Sequence, residues 1–222
     1  MTIEDAAHSL YDFPAQKWIP YAFSAGAYAG KIKKEDKYKF FSGATECGNN
    51  IARKLLCKYP SYTVKDFIIS EGARIINDDI KTESLGIFAT YTEPDEIRIA
   101  KGVADAADEA IEKAGLSYIT GGIKIRDVLY AHELYHHLER KDKSLYTVQK
   151  HFLLFRIGTW EYRSQIRCLS EIGAMAFAQK LTGLACSPYI LDMFLLYVIR
   201  PEQAIQFYNR VMKICGEDEP CT

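Results

Sequence analysis

The stretch Ala131-His132-Glu133-Leu134-Tyr135-His136-His137-Leu138 decides how the rest of the chain is read. It contains the pattern His-Glu-x-x-His at His132, Glu133 and His136. Between Ile123 and Lys141 there is no Pro or Gly, and Val128, Leu129, Leu134 and Leu138 recur at helical spacing, which predicts a helix. On a helix, residues four apart share a face, so the two imidazoles point the same way. Two neutral imidazoles at that spacing can hold one Zn²⁺, and Glu133 beside them can take a proton from a water activated there.

Two histidines do not complete a catalytic zinc site, which normally has three protein ligands and one open position. The downstream candidates are Glu139, His151, Glu161 and Glu171. His137 lies about 100° around the helix from His136 and cannot join the same ion without distortion. Glu171 is the strongest candidate. It sits mid-helix, and Ala174 and Ala178, which follow it, are small enough to let that helix pack close to the motif helix. A charge on such a face needs a partner. Glu161 is the runner-up, and an ion pair between Glu171 and Arg167, four residues earlier, is the plain structural rival.

The bulk composition narrows the alternatives. The chain has 222 residues, 48% hydrophobic and 26% charged, with a formal net charge of −1, which reads as an ordinary soluble globular protein. No basic tail or stripe argues for nucleic acid. The longest apolar runs are too short to span a bilayer. Glu4 and Asp5 stand where a secretion signal would carry Lys or Arg, so the expected compartment is the cytoplasm. The six cysteines form no CxxC pair and are expected as reduced thiols, five of them in the core and Cys221 in an exposed tail.

Taken in order, residues 1–41 form an extension without a clear structural signal. Prolines at positions 14 and 20 suggest extended or turn segments, Tyr21 to Ala29 suggests a short helix, and Lys31 to Lys39 reads as a charged loop. A helix is expected from Ser42 to about Tyr59. Three strands follow, at Asp66–Asn77, Leu85–Thr92 and Glu96–Ala100, the last two as a hairpin. A turn is expected at Asn77-Asp78-Asp79. Gly102 to Ala114 is a helix that Gly115 ends. Beyond Lys143 the chain reads as all helix, at about Tyr146–Arg156, Trp160–Leu181, Pro188–Ile199 and Pro201–Cys215, with a frayed tail from Glu217. The fold class is therefore α+β, with a small antiparallel sheet of about three strands packed on the motif helix and a mainly helical C-terminal half.

A strand hairpin, a His-Glu-x-x-His helix and then a Glu-x-x-Ala-x-x-Phe-Ala helix (Glu171, Ala174, Phe177, Ala178) resemble the minimal zincin metallopeptidases. The pattern is most similar to the ImmA/IrrE-like family and covers roughly residues 42–183, with 184–222 as C-terminal helices packing on that core. The resemblance implies one Zn²⁺ per chain held by His132, His136 and Glu171, Glu133 as general base, and a peptide or protein substrate. Tyr130, Tyr135, His137 and His151 are the available groups to stabilise an oxyanion or to support a ligand from behind. Either of the later two strands could offer an edge to an extended peptide. The rival expectation is a metal-stabilised regulatory or interaction protein that cleaves nothing.

Overall fold

The computed structural model describes residues 1–26, 29–77 and 87–216. The first helix, α1 (Ile3–Tyr11), opens on a capping box in which Thr2 and Asp5 satisfy each other's backbone N–H groups. Its buried face is Ile3, Ala6, Ala7 and Leu10. A 3₁₀ turn, Ala15–Trp18, leads into α2 (Ile19–Ser24). Pro20 was expected to hold this region extended. It sits instead in the first turn of α2, where its missing N–H costs nothing. Burial of Trp18, Ile19 and Phe23 holds the segment helical.

Helix α3 (Lys34–Lys58) is longer than the sequence suggests and takes in most of the expected charged loop. Glu35 and Asp36 lie in its first turn, where the helix dipole favours anions, and the lysines point to solvent. Its buried stripe is Ala44, Gly48, Ala52 and Leu55. The expected strand at 66–77 is a correction. Thr63 and Asp66 form a second capping box that starts α4 (Val64–Ser70), and only Arg74–Ile75 remain extended, as β1. The β-branched residues there serve a helix face, with Phe67 and Ile68 buried and Ile69 exposed.

Strands β2 (Ala89–Thr92) and β3 (Glu96–Ile99) form the expected hairpin, with Ala89 opposite Ile99 and Tyr91 opposite Ile97. Residues 78, 79, 85 and 86 of the expected turn and strand lie outside the described residues, as does the tail from Glu217 with Cys221. β1 pairs with β3 in parallel, so the sheet is mixed rather than antiparallel, in the order β1-β3-β2. Helix α5 (Lys101–Lys113) ends before Gly115, whose φ of +70° takes the left-handed turn. The motif helix is α6 (Ile125–Lys141). It packs against β2, β3, α4, α5 and α8.

The second correction follows α6. The short α7 (Tyr146–Gln149) gives way to β4 (His151–Ile157) and β5 (Trp160–Gln165), an antiparallel hairpin where helix was expected. Ile157 faces Trp160 across the Gly158-Thr159 turn, and Gly158 has a φ of +59°. The alternation Trp160-Glu161-Tyr162-Arg163 has the period of a strand. Phe155, Ile157, Trp160 and Tyr162 stay exposed on this hairpin.

Helix α8 (Cys168–Thr182) carries Glu171 and ends at Gly183, whose φ is +79°. A 3₁₀ turn leads to α9 (Leu191–Ile199), and α10 (Pro201–Gly216) returns to pack on α1, α2 and α9. The described part is therefore α+β. Among the described residues, no helix is long and apolar enough to cross a membrane. Cys168, Cys186 and Cys215 are buried as expected, but Cys47 is half-buried and Cys57 is exposed at the end of α3.

The closest helix contact is α3 on α8. A Cβ placed on Gly48 would lie 2.2 Å from the Gly173 carbonyl oxygen, so these two backbones meet with no side chain between them. In a free helix Gly→Ala stabilises by up to about 1 kcal/mol. Here the sign reverses. Gly48→Ala should destabilise by about 1–3 kcal/mol, the usual cost of overpacking, as read from the urea midpoint. An unchanged or raised midpoint would show that α3 and α8 do not meet this closely.

Candidate metal centre

His132 and His136 are one helical turn apart on α6, offset by about 40° around its axis. Their Nε2 atoms lie 3.1 Å apart. Glu171 comes from α8, with Oε2 3.2 Å from His132 Nε2 and Oε1 3.5 Å from His136 Nε2. Three donors held tetrahedrally at about 2.0–2.1 Å from one ion would sit about 3.3 Å from each other. Glu171 meets the two imidazoles with different oxygens, at separations near that value, so the three residues form a group that could hold a small divalent cation. Gly173 lets α8 come this close to α6, because any Cβ there would strike the Tyr135 hydroxyl at 2.4 Å.

The electrostatics suit such a site. Crowding by the cleft walls opposes charge on Glu171, yet the His132 hydrogen bond and the two imidazoles outweigh it and pull the carboxyl down to about 2. More than half of the Glu171 side chain remains open to the cleft. Glu133 is buried, and burial pushes its carboxyl up; the two imidazoles oppose that and Glu171 adds to it. The Tyr91 backbone faces the Glu133 carboxyl and opposes that rise in a small way.

Behind His136 lies a chain of hydroxyls and a carboxylate. His136 Nδ1 is 3.2 Å from Ser170 Oγ, and Ser170 donates to Glu139 Oε2 at 2.5 Å. Thr147 donates to Glu139 Oε1, and the Tyr135 hydroxyl lies 2.9 Å from Thr147 Oγ1. With Ser170 donating to Glu139, its lone pairs face Nδ1, so Nδ1 carries the proton and Nε2 keeps its lone pair for a cation. Burial works against charge on His136, but Glu139, Glu171 and Glu133 outweigh it and raise its pKa.

The site opens into a cleft of about 890 Å³ between β2, α6, α8 and α9. Among the described residues β2 is an edge strand, and the Ala100 N–H bonds the Phe88 carbonyl. In an antiparallel ladder the hydrogen-bonding residues alternate, so Phe88 and Thr90 face β3 while Ala89 and Tyr91 turn their N–H and C=O outward. Ala89 lines the cleft and offers both groups there. On the far wall α9 presents Leu191, Asp192 and Leu195. Burial pushes the Asp192 carboxyl up to about 7; His132 draws it down and Glu171 pushes it further up.

Other residues singled out in the sequence fall elsewhere. Tyr130 is buried beneath Lys65, whose Nζ is 6.0 Å from the ring. Tyr135 is fully buried, with its ring edge-on to His136 and its hydroxyl linked to the site through Thr147 and Glu139. His137 turns away from the cleft, with Nε2 3.0 Å from the Glu71 carbonyl and its ring edge-on to Tyr91. His151 is exposed at the start of β4 and bonded to the Gln149 carbonyl. Glu161 pairs with Arg156 and Arg163 on the hairpin, so it is not brought to the imidazoles. Glu171 pairs with the histidines, and Arg167 is not among the groups that act on it. Sequence reasoning passed over Ser170, Thr147 and Asp192, and weighed Glu139 only as a ligand. Glu139 was legible as a neighbour of His136, three residues on along the helix.

Comparison with protein-family models, with curated proteins and with solved structures finds no match. Ser170→Ala should leave the fold intact and weaken zinc binding by about tenfold or more, the usual effect of losing a partner behind a ligand. Chelator competition reads this directly, and wild-type affinity in the variant would remove Ser170 from the site.

Proposed function

We propose that the chain is a zinc-dependent metallopeptidase of the minimal zincin kind, similar to the ImmA/IrrE-like family. The observation that carries this reading is the convergence of His132 Nε2, His136 Nε2 and the Glu171 carboxylate into one group that could hold a metal ion, with Glu133 beside them in the same cleft. A two-histidine, one-glutamate set with an open position is a catalytic zinc set. A bound Zn²⁺ would supply an acidified water and polarise the scissile carbonyl.

The chain's own residues do the rest. Glu133 takes the proton of the attacking water and returns it to the leaving nitrogen. Burial raises its pKa, which brings it closer to the operating range of a general base. Glu139, through Ser170, keeps the His136 tautomer fixed. The outward N–H and C=O of Ala89 provide a place for an extended peptide to pair, which leads across the cleft towards Glu133. The substrate class is therefore a peptide or an extended protein segment.

Elemental mass spectrometry of the purified chain should find about one zinc per molecule, greatly reduced in His132→Ala and Glu171→Ala. Glu133→Gln should keep the metal and lose hydrolysis of a fluorogenic peptide mixture by about 10²–10⁴-fold. A chain that takes up no zinc would end the metallopeptidase reading. A biological effect that survives Glu133→Gln would leave a metal-stabilised regulator that cleaves nothing.

A further inference from the structure

The two imidazoles of the triad are supported differently. His136 has Ser170 and Glu139 against its Nδ1. Among the described residues, His132 makes hydrogen bonds through Nε2 alone, to Glu171 and to His136. An imidazole that gives its Nε2 lone pair to an ion carries its proton on Nδ1, and that N–H needs an acceptor. Without one the ring is free to turn, and affinity falls.

Among the described residues five carboxylates line the cleft, Glu93, Glu133, Glu139, Glu171 and Asp192; Glu93 pairs with Arg140 and Glu133 is the proposed base, which leaves Asp192 as the candidate acceptor. Along α9, Leu191, Asp192 and Leu195 face the cleft that Val128, Leu129 and His132 line from α6. Asp192 is the polar member of that α9 face, half-buried between leucines. Among the described residues no hydrogen bond or ion pair engages its carboxylate, and the charged groups that act on it are His132 and Glu171. A carboxylate in an apolar wall without a partner is costly unless another state of the site supplies one. Glu171 already serves as a ligand candidate, and Glu139 is committed to Ser170 and Thr147.

We propose that Asp192 is the positioning residue of His132, accepting its Nδ1–H across the cleft as Ser170 and Glu139 do for His136. This rests on the triad being a metal centre. α9 then becomes part of the site, and the metal couples the C-terminal helices to α6. Asp192 touches neither substrate nor ion in this role; it acts through the ring.

The test uses the full-length chain, with Zn²⁺ and Co²⁺ as probes. Asp192→Asn and Asp192→Ala should keep or raise the thermal midpoint without metal, since the carboxylate has no partner to lose and is costly where it stands. Their zinc affinity, measured by chelator competition, should fall by about 10–100-fold, with the larger loss in Asp192→Ala. The visible Co²⁺ spectrum should shift in both, reporting an altered ligand field that a purely structural role would not produce. Wild-type zinc affinity and an unchanged Co²⁺ spectrum in Asp192→Ala, with binding abolished in His132→Ala, would overturn this inference and leave the metal centre standing. That result would assign Asp192 to the cleft and its substrate instead. A wild-type chain that binds neither ion would overturn both.

Discussion

Glu171 reaches two imidazoles on another helix because α8 is pressed between α3 and α6 where neither neighbour meets a side chain. On one side Gly48 lies against the backbone of Gly173, and on the other Tyr135 lies over Gly173 itself. Interiors pack at crystal-like density, so one added methyl at either contact displaces a whole helix or a buried ring. The distance between Glu171 and the histidines is therefore set by two glycines that carry no chemistry.

The surroundings of the triad extend the same logic. Tyr135 fills the space over Gly173 and points its hydroxyl at Thr147, which in turn holds Glu139. Glu139 receives Ser170, and Ser170 faces His136. One chain of contacts thus joins a packing residue to the tautomer of a candidate ligand. A network of this kind is stabilising only when each member has a partner, which constrains every residue in it at once.

Where sequence reading failed, the cause is physical. Ile68, Ile69, Ile75 and Ile76 argued for a long strand, but the Thr63 and Asp66 capping box is a local signal for a helix start and it prevails until Gly72. Beyond Lys143 the sequence reads as all helix. Its period is two on β5, and the Gly158 turn lets both strands pair back on themselves. In both places caps, turns and period outweigh residue type.

The sequence by itself determined the helix at Ile125–Lys141, the shared face of His132 and His136, the β2–β3 hairpin and the glycine stop of α5. Each follows from bonds and spacings within a few residues. Tertiary structure alone brought Glu171 and not Glu161 to the two histidines, turned Tyr130, His137 and His151 away from the cleft, and placed Asp192 on its wall. These depend on which helix faces lie together, and the contacts that fix them join residues tens of positions apart, as Gly48 and Gly173 do. No local pattern carries such a distance, because it is the sum of every side chain packed between the two points.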